Sequence, residues 1–211
     1  TTYDLMESAR NTNAWMGATA RAMASYPAFA LSMNPLLPLA AAWGEVAERT
    51  FARMVVKPDW GIRSIVGPEG QDHLVDVNIV VEKPFGNLIR FFVRRRAPMA
   101  RKVLLVAPMS GHYATLLRST VTSLLPDCDV YVTDWHNARD VPVSMGKFDI
   151  EDYTLYLVDF MRAMGPDTHV IAVCQPSVPV LAAAALMAEA KEPRQPKSLT
   201  LMGGPIDTRV S

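Results

Sequence analysis

The sequence predicts an α/β domain with a mostly parallel sheet and flanking helices, preceded by a helical arm. Three observations carry this. From Lys102 onward, short continuous apolar runs alternate with longer stretches of helical spacing, the pattern of βαβ units. Just before them, two apolar or alternating runs flank the turn Lys83-Pro84-Phe85-Gly86, the pattern of a hairpin. Residues 1–56 are rich in Ala and Met and read as helical.

Composition narrows the function classes. Half of the 211 residues are apolar and a fifth are charged, as in a soluble globular chain with a real core. The formal net charge is zero, so no global field argues for nucleic acid. Two cysteines, Cys128 and Cys174, make no disulfide framework and point to a reducing compartment. Asp4 and Glu7 stand where a signal peptide would carry basic residues. The apolar stretch near residues 27–44 is cut by Pro27, Pro35 and Pro38 and is too short to span a bilayer. The expectation is a cytoplasmic protein with no transmembrane segment; peripheral contact with a surface stays open. No His/Cys/Asp cluster has metal-ligand spacing, so neither a metal nor a cofactor is expected.

The elements follow in order. In the arm, Asn34-Pro35 fits an N-cap with proline at the first helical position. Leu39, Trp43, Val46 and Phe51 then fall roughly on one face. That face either packs on the main body or docks an apolar partner. Pro58, Gly61, Pro68 and Gly70 mark a connection, and the boundary is placed between an arm with linker, 1–66, and a sheet domain, 67–211. The hairpin covers 73–95. Strands are expected at 102–108, 129–135, 168–173 and 197–202, and helices at 112–125, 149–164 and 176–190. Right-handed crossovers put the strand C-termini on one edge, where open α/β sheets bind ligands.

Three of those strand ends carry the candidate chemistry: residues 107–113, 133–140 and 172–179. The run Ala172-Val173-Cys174-Gln175-Pro176 has the spacing of the G-x-S-x-G nucleophile box, with neither glycine and no serine. A strand-to-helix turn there puts the Cys174 sulfur at a helix N-terminus, where thiolates are favoured. The Gln175 N–H would face an oxyanion beside the sulfur, and the loop of Met109, Ser110 and Gly111 would supply a second donor. Ala172 is small enough for the first glycine place, and Pro176 suits the start of a helix. The competing reading is a small, inert hydrophobe at a strand end, since free cysteine is often buried. Cys128 has no comparable context and reads as structural.

His112, Tyr113, Trp135 and His136 are candidates for the pocket mouth. His112 reads equally as an oxyanion-loop or a capping residue, and His136 as a pocket or a loop residue. His73 and His169 read as ordinary surface or strand-start residues. Asp207 is either an acid at a strand end or a turn residue. The basic group of Arg90, Arg94, Arg95, Arg96, Arg101 and Lys102 reads as a solvated turn between strands, or as a surface for an anionic partner.

Taken together, VEKPFGNLIRF, APMSGHYATLLR, VYVTDWHNARDVP, VIAVCQPSVPVLAA and LMGGPIDTR resemble the intracellular poly(3-hydroxybutyrate) (polyhydroxyalkanoate) depolymerases. The resemblance implies the N-terminal half of an α/β-hydrolase-fold enzyme acting on stored polyester granules, or their oligomers, at the granule surface. It implies a cysteine nucleophile in a C-Q-P context, landing on Cys174. It also implies chains about twice as long, whose catalytic Asp and His lie beyond Ser211. A half-domain would leave an apolar sheet edge open, so a homo-oligomer or a complementing C-terminal half is expected. A thioester intermediate would make coenzyme A a possible acyl acceptor. Two rivals remain: a polyhydroxyalkanoate synthase-like acyltransferase, whose box keeps its glycines, and a non-catalytic granule-binding scaffold.

Overall fold

The computed structural model describes residues 2–26, 36–52, 57–67, 70–94, 101–109, 113–207 and 209. Two compact units divide at Asp59 and Trp60.

Among the described residues, the first unit has a pair of helices, α1 (Thr2–Ala24) and α2 (Leu36–Ala52). They meet backbone to backbone at two glycines. A Cβ on Gly17 would lie 2.9 Å from the Gly44 carbonyl, and one on Gly44 would lie 2.7 Å from the Gly17 carbonyl. Any larger residue at either place would push the helices apart. Ala47 is buried in this unit, and Arg21 pairs with Glu48 at 2.9 Å. Leu39, Trp43 and Val46, on the face expected to pack on the main body or dock an apolar partner, are exposed. The expected cap at Asn34-Pro35 lies outside the described residues.

The second unit is a seven-stranded sheet in the order β1-β2-β3-β5-β4-β6-β7. Its strands are β1 (Ser64–Val66), β2 (Asp72–Val81), β3 (Gly86–Val93), β4 (Lys102–Val106), β5 (Asp129–Trp135), β6 (Thr168–Val173) and β7 (Ser198–Met202). The hairpin and β5 are antiparallel neighbours, while β5, β4, β6 and β7 run parallel. β1 lies within the expected linker and pairs with the start of β2. A 3-10 turn (Ala114–Leu117) leads into α3 (Arg118–Leu124); α4 is Ile150–Met164 and α5 is Ser177–Glu189. Residues 112–125 are therefore not one continuous helix as expected: the described chain starts with the tighter turn.

The apolar runs are strands because both of their faces are covered. All of β5 is buried, as are Val103 to Val106 of β4. Leu157, Phe160 and Met161 of α4 and Val180, Ala183 and Met187 of α5 fill the same core. Each of these side chains other than that of Ala183 contributes about 2 kcal/mol on burial. α4 starts at a capping box: the Asp149 carboxylate accepts from the Glu151 and Asp152 N–H groups, and the Asp152 side chain accepts from Asp149 N–H. It stops at Gly165, whose φ of 80° a side chain would resist.

Where it is described, the basic group divides: Arg94 and Arg101 are exposed at the two ends of the connection between β3 and β4, as a solvated turn requires, whereas Arg90 and Lys102 lie within strands. Arg90 lies within β3 and pairs with the buried Asp129 at 2.5 Å. Arg94 holds Asp76 through two hydrogen bonds, and Lys102 Nζ donates to the Met164 carbonyl at 2.7 Å. A sequence shows neighbouring charges but not the partners that register brings to them. Arg95 and Arg96 lie outside the described residues.

An antiparallel hairpin leading into parallel βα units, with a sharp strand–helix turn after β6, is an α/β-hydrolase-type sheet. None of the described helices is long and apolar enough to cross a membrane.

Candidate functional site

The parallel strands end together. Val106 of β4 is level with Ala172 of β6, and Val173 is level with Met202 of β7. This edge carries the residues that follow each strand.

At the end of β6 the chain turns on Cys174, which has φ of 67°. An L-residue in this left-handed region is strained by about 1–2 kcal/mol. Surrounding bonds enforce the turn: Cys174 N–H donates to the Met202 carbonyl at 2.7 Å, and Ser177 N–H to the Cys174 carbonyl at 3.1 Å. Pro176 caps α5 with φ of −68°, and its carbonyl receives the Val180 N–H at 2.9 Å. The expected role of Pro176 at the helix start is met, and the helix proper begins one residue later than the expected 176.

The thiol of Cys174 is exposed and that of Cys128 is buried. Burial raises the Cys128 pKa, with further raising by Asp127. The burial assumed by the competing reading therefore holds for Cys128 and not for Cys174. The room that box glycines would give comes from another strand. A Cβ on Gly204, just past β7, would lie 2.2 Å from Ser177 Cβ and 2.8 Å from the Cys174 carbonyl. Gly204 is thus the close-approach residue of this elbow. Its signal in the sequence was the pair Gly203-Gly204 after an apolar run.

The end of β4 is held on both sides. Ala107 N–H donates to Thr133 Oγ1 at 2.9 Å, and the Ala107 carbonyl accepts from Trp135 Nε1 at 2.9 Å. Two residues on, Met109 N–H donates to the Gln175 side-chain Oε1 at 3.1 Å. The loop and the elbow, expected to face one another, are therefore joined by a side chain. Ser110, Gly111 and His112 lie outside the described residues.

The remaining expected residues are placed as follows. Trp135 is 3% exposed, edge-on to Tyr153 at 4.7 Å; it is a core residue that anchors Ala107. His136 is half-buried, with Nδ1 2.9 Å from the Pro84 carbonyl. Tyr113 is half-buried just before the 3-10 turn. His169 Nδ1 lies 2.8 Å from Ser198 Oγ, away from the strand ends. Asp207 forms a turn with Arg209, whose N–H and guanidinium both bond its carboxylate, and that guanidinium holds its pKa low. Among the described residues, no histidine hydrogen-bonds the Cys174 thiol, and no group of three or more His, Cys, Asp or Glu could hold a metal ion.

One feature escaped the sequence reading. A cleft of about 460 Å³ opens beside Met109, with Phe85, Val141, Val143, Phe148 and Ile150 in its wall. Most of these come from the connection between β5 and α4. Trp135, Tyr113 and His136 are not in that wall. The available signal was the length of the connection, residues 136–149; connections longer than about 12 residues are uncommon and often functional.

No protein-family model matches the chain, and no curated protein matches it in sequence. Solved structures do resemble it. The type II thioesterase BorB from the borrelidin biosynthetic cluster is 18% identical over 59% of this chain and 51% of its own, with a TM-score of 0.43. A structure of arylesterase is 11% identical over 74% and 49%, with a TM-score of 0.39. The hyperthermophilic esterase of the archaeon Pyrobaculum calidifontis is 12% identical over 87% and 56%, with a TM-score of 0.36. The chain spans about half the length of these structures. At such identities the likeness concerns the fold, which strand order and elbow establish by themselves.

Proposed function

We propose that this chain carries the nucleophile of an ester hydrolase, and that its substrate is poly(3-hydroxybutyrate) or its oligomers. The observation that carries the reading is Cys174 itself: an exposed thiol on a positive-φ turn between a buried strand and a helix. Strain of this kind persists where the surroundings over-determine it, and it clusters at active sites. The polyester substrate rests on the sequence resemblance alone.

In this reading the Cys174 thiol passes its proton to a histidine, and the sulfur attacks an ester carbonyl to form a C–S bond. The oxyanion is held by backbone N–H groups of Gln175 and of the loop at Met109. The C–O bond breaks, the alcohol end leaves with a proton from that histidine, and a thioester remains. Water, deprotonated by the same histidine, then releases the acid and restores the thiol. The histidine and its partner aspartate are supplied by residues outside the 211 described by this sequence. A thiol such as coenzyme A can replace that water as acyl acceptor, and the granule surface is the proposed location.

The test is hydrolysis of 3-hydroxybutyrate oligomers by the full-length protein, against Cys174→Ala. The expected result is loss of at least about a thousandfold in rate, as for other enzymes deprived of a nucleophile. Unchanged turnover in Cys174→Ala would overturn the reading. Iodoacetamide should also modify Cys174 faster than it modifies glutathione. Supplying hydroxyacyl-coenzyme A separates a synthase, which would build polymer instead.

A further inference from the structure

We infer that the cleft beside Met109 is the binding site for an uncharged, apolar acyl chain presented to Cys174. This deepens the proposed ester hydrolysis and rests on it for the chemistry, though not for the binding.

Three observations lead there. The first is continuity. Met109 is in the cleft wall, and its own N–H is bonded to Gln175, the neighbour of Cys174. A chain lying against the Met109 side chain therefore extends away from the loop expected to hold the ester oxygen. Cys174 itself is not in the wall, so the link to the nucleophile runs through Met109 and Gln175.

The second is chemistry. Phe85, Val141, Val143, Phe148 and Ile150 supply apolar surface, and Phe148 stacks on Phe85 at 4.6 Å. The one carboxylate in the wall, Asp149, is bonded to Lys147 and to the Glu151 and Asp152 N–H groups. Tyr153, the other polar member, is buried, and its hydroxyl lies within 3.5 Å of the Ala107 carbonyl. No lysine or arginine lines the cleft to meet a charged chain. A volume of about 460 Å³ is within the range of small-molecule sites.

The third is exposure in the wrong place. Val143 is 95% exposed and Ile150 61% exposed, both at the cleft. Apolar side chains that face water at a cleft mouth gain from a ligand that covers them.

Labelling of Cys174 reads chain binding without requiring turnover. The protein is treated with iodoacetamide, N-ethyl-, N-butyl- and N-hexyl-iodoacetamide, and with N-(5-carboxypentyl)iodoacetamide, and modification of Cys174 is followed by mass spectrometry. Rates should climb along the alkyl series, up to about fourfold per methylene that enters the cleft. The carboxylated reagent should label no faster than iodoacetamide. Val143→Asp and Ile150→Asp, two exposed positions whose change spares the core, should flatten the series. A flat series in the wild-type protein overturns the inference, and so does a slope that survives in both variants. The reaction with plain iodoacetamide, set against glutathione, judges the activated nucleophile separately. A reactive Cys174 with a flat series leaves the hydrolase reading standing without this cleft.

Discussion

The side-chain oxygen of Gln175 sits 3.1 Å from the backbone N–H of Met109, so an amide carbonyl rests on the donor that the proposed reaction assigns to an ester oxygen. The contact also fixes which end of the Gln175 amide is oxygen, since only an acceptor can face an N–H. It ties the loop after β4 to the elbow after β6, elements that are parallel neighbours but 66 residues apart at this contact. Gln175→Leu removes the acceptor and keeps similar bulk. The Met109 N–H should then exchange with solvent about fivefold faster, the equivalent of one neutral hydrogen bond. Unaltered exchange at Met109 would show that the bond does not hold the loop.

Cys174 offers a stability test of its strained turn. Glycine accepts φ of 67° without cost, whereas alanine does not. Cys174→Gly should unfold at higher denaturant than Cys174→Ala, by about 1 kcal/mol after the greater freedom of unfolded glycine is subtracted. Both should be inactive. Greater stability for the alanine variant would contradict a strained elbow.

Gly204 should tolerate no side chain. Its Cβ would fall 2.2 Å from Ser177 Cβ, so Gly204→Ala must displace either α5 or the end of β7. A loss of about 2 kcal/mol is expected, in line with overpacking elsewhere, together with slower alkylation of Cys174. Adding Ser177→Gly should restore part of both. If Gly204→Ala alone leaves alkylation unchanged, the elbow does not depend on this approach.

Asp149 makes the start of α4 sensitive to acid. Lys147, and then the Asp152 and Glu151 N–H groups, lower its pKa from 3.8 to about 2. A carboxyl depressed on folding stabilises the fold above its unfolded pKa and loses that contribution as pH falls through the folded value. The melting temperature of Asp149→Ala should therefore lie below that of the wild type near neutral pH. The gap should close between about pH 4 and pH 2. The group is exposed, so the effect is modest and shrinks with salt. An equal gap at both ends of that range would remove the carboxylate from the explanation.

The strands were the most legible part of the fold. The runs at 129–135 and 168–173 are β5 and β6 residue for residue, and 197–202 and 102–108 differ from β7 and β4 only at their ends. Continuous apolar runs mark strands covered on both faces, as β4 and β5 are here. β1 was not legible, because three residues carry no period. The seam of the first unit was not legible for a related reason: periodicity locates large apolar residues, while this seam is made by Gly17 and Gly44.

The site divides along similar lines. Cys174, Gln175 and Met109 were reachable because strand, turn and helix follow one another locally. The cleft wall was not, because Phe85 comes from the hairpin while Phe148 and Ile150 come from the other side of β5. Trp135 was expected at a pocket mouth, yet the pleat turns it inward to the Ala107 carbonyl.

By itself, the sequence determined the order of strands and helices, the common edge of the strand ends, and a cysteine at the turn after β6. Those follow from apolar period and local turn chemistry, which need no distant partner. Only the tertiary structure decided that Cys174 is exposed on a positive-φ turn, that Gly204 makes room beside it, that Gln175 holds Met109, and that Arg90 meets Asp129. Each of these joins residues from different strands, and the register that brings them together is set by the packing of the whole sheet.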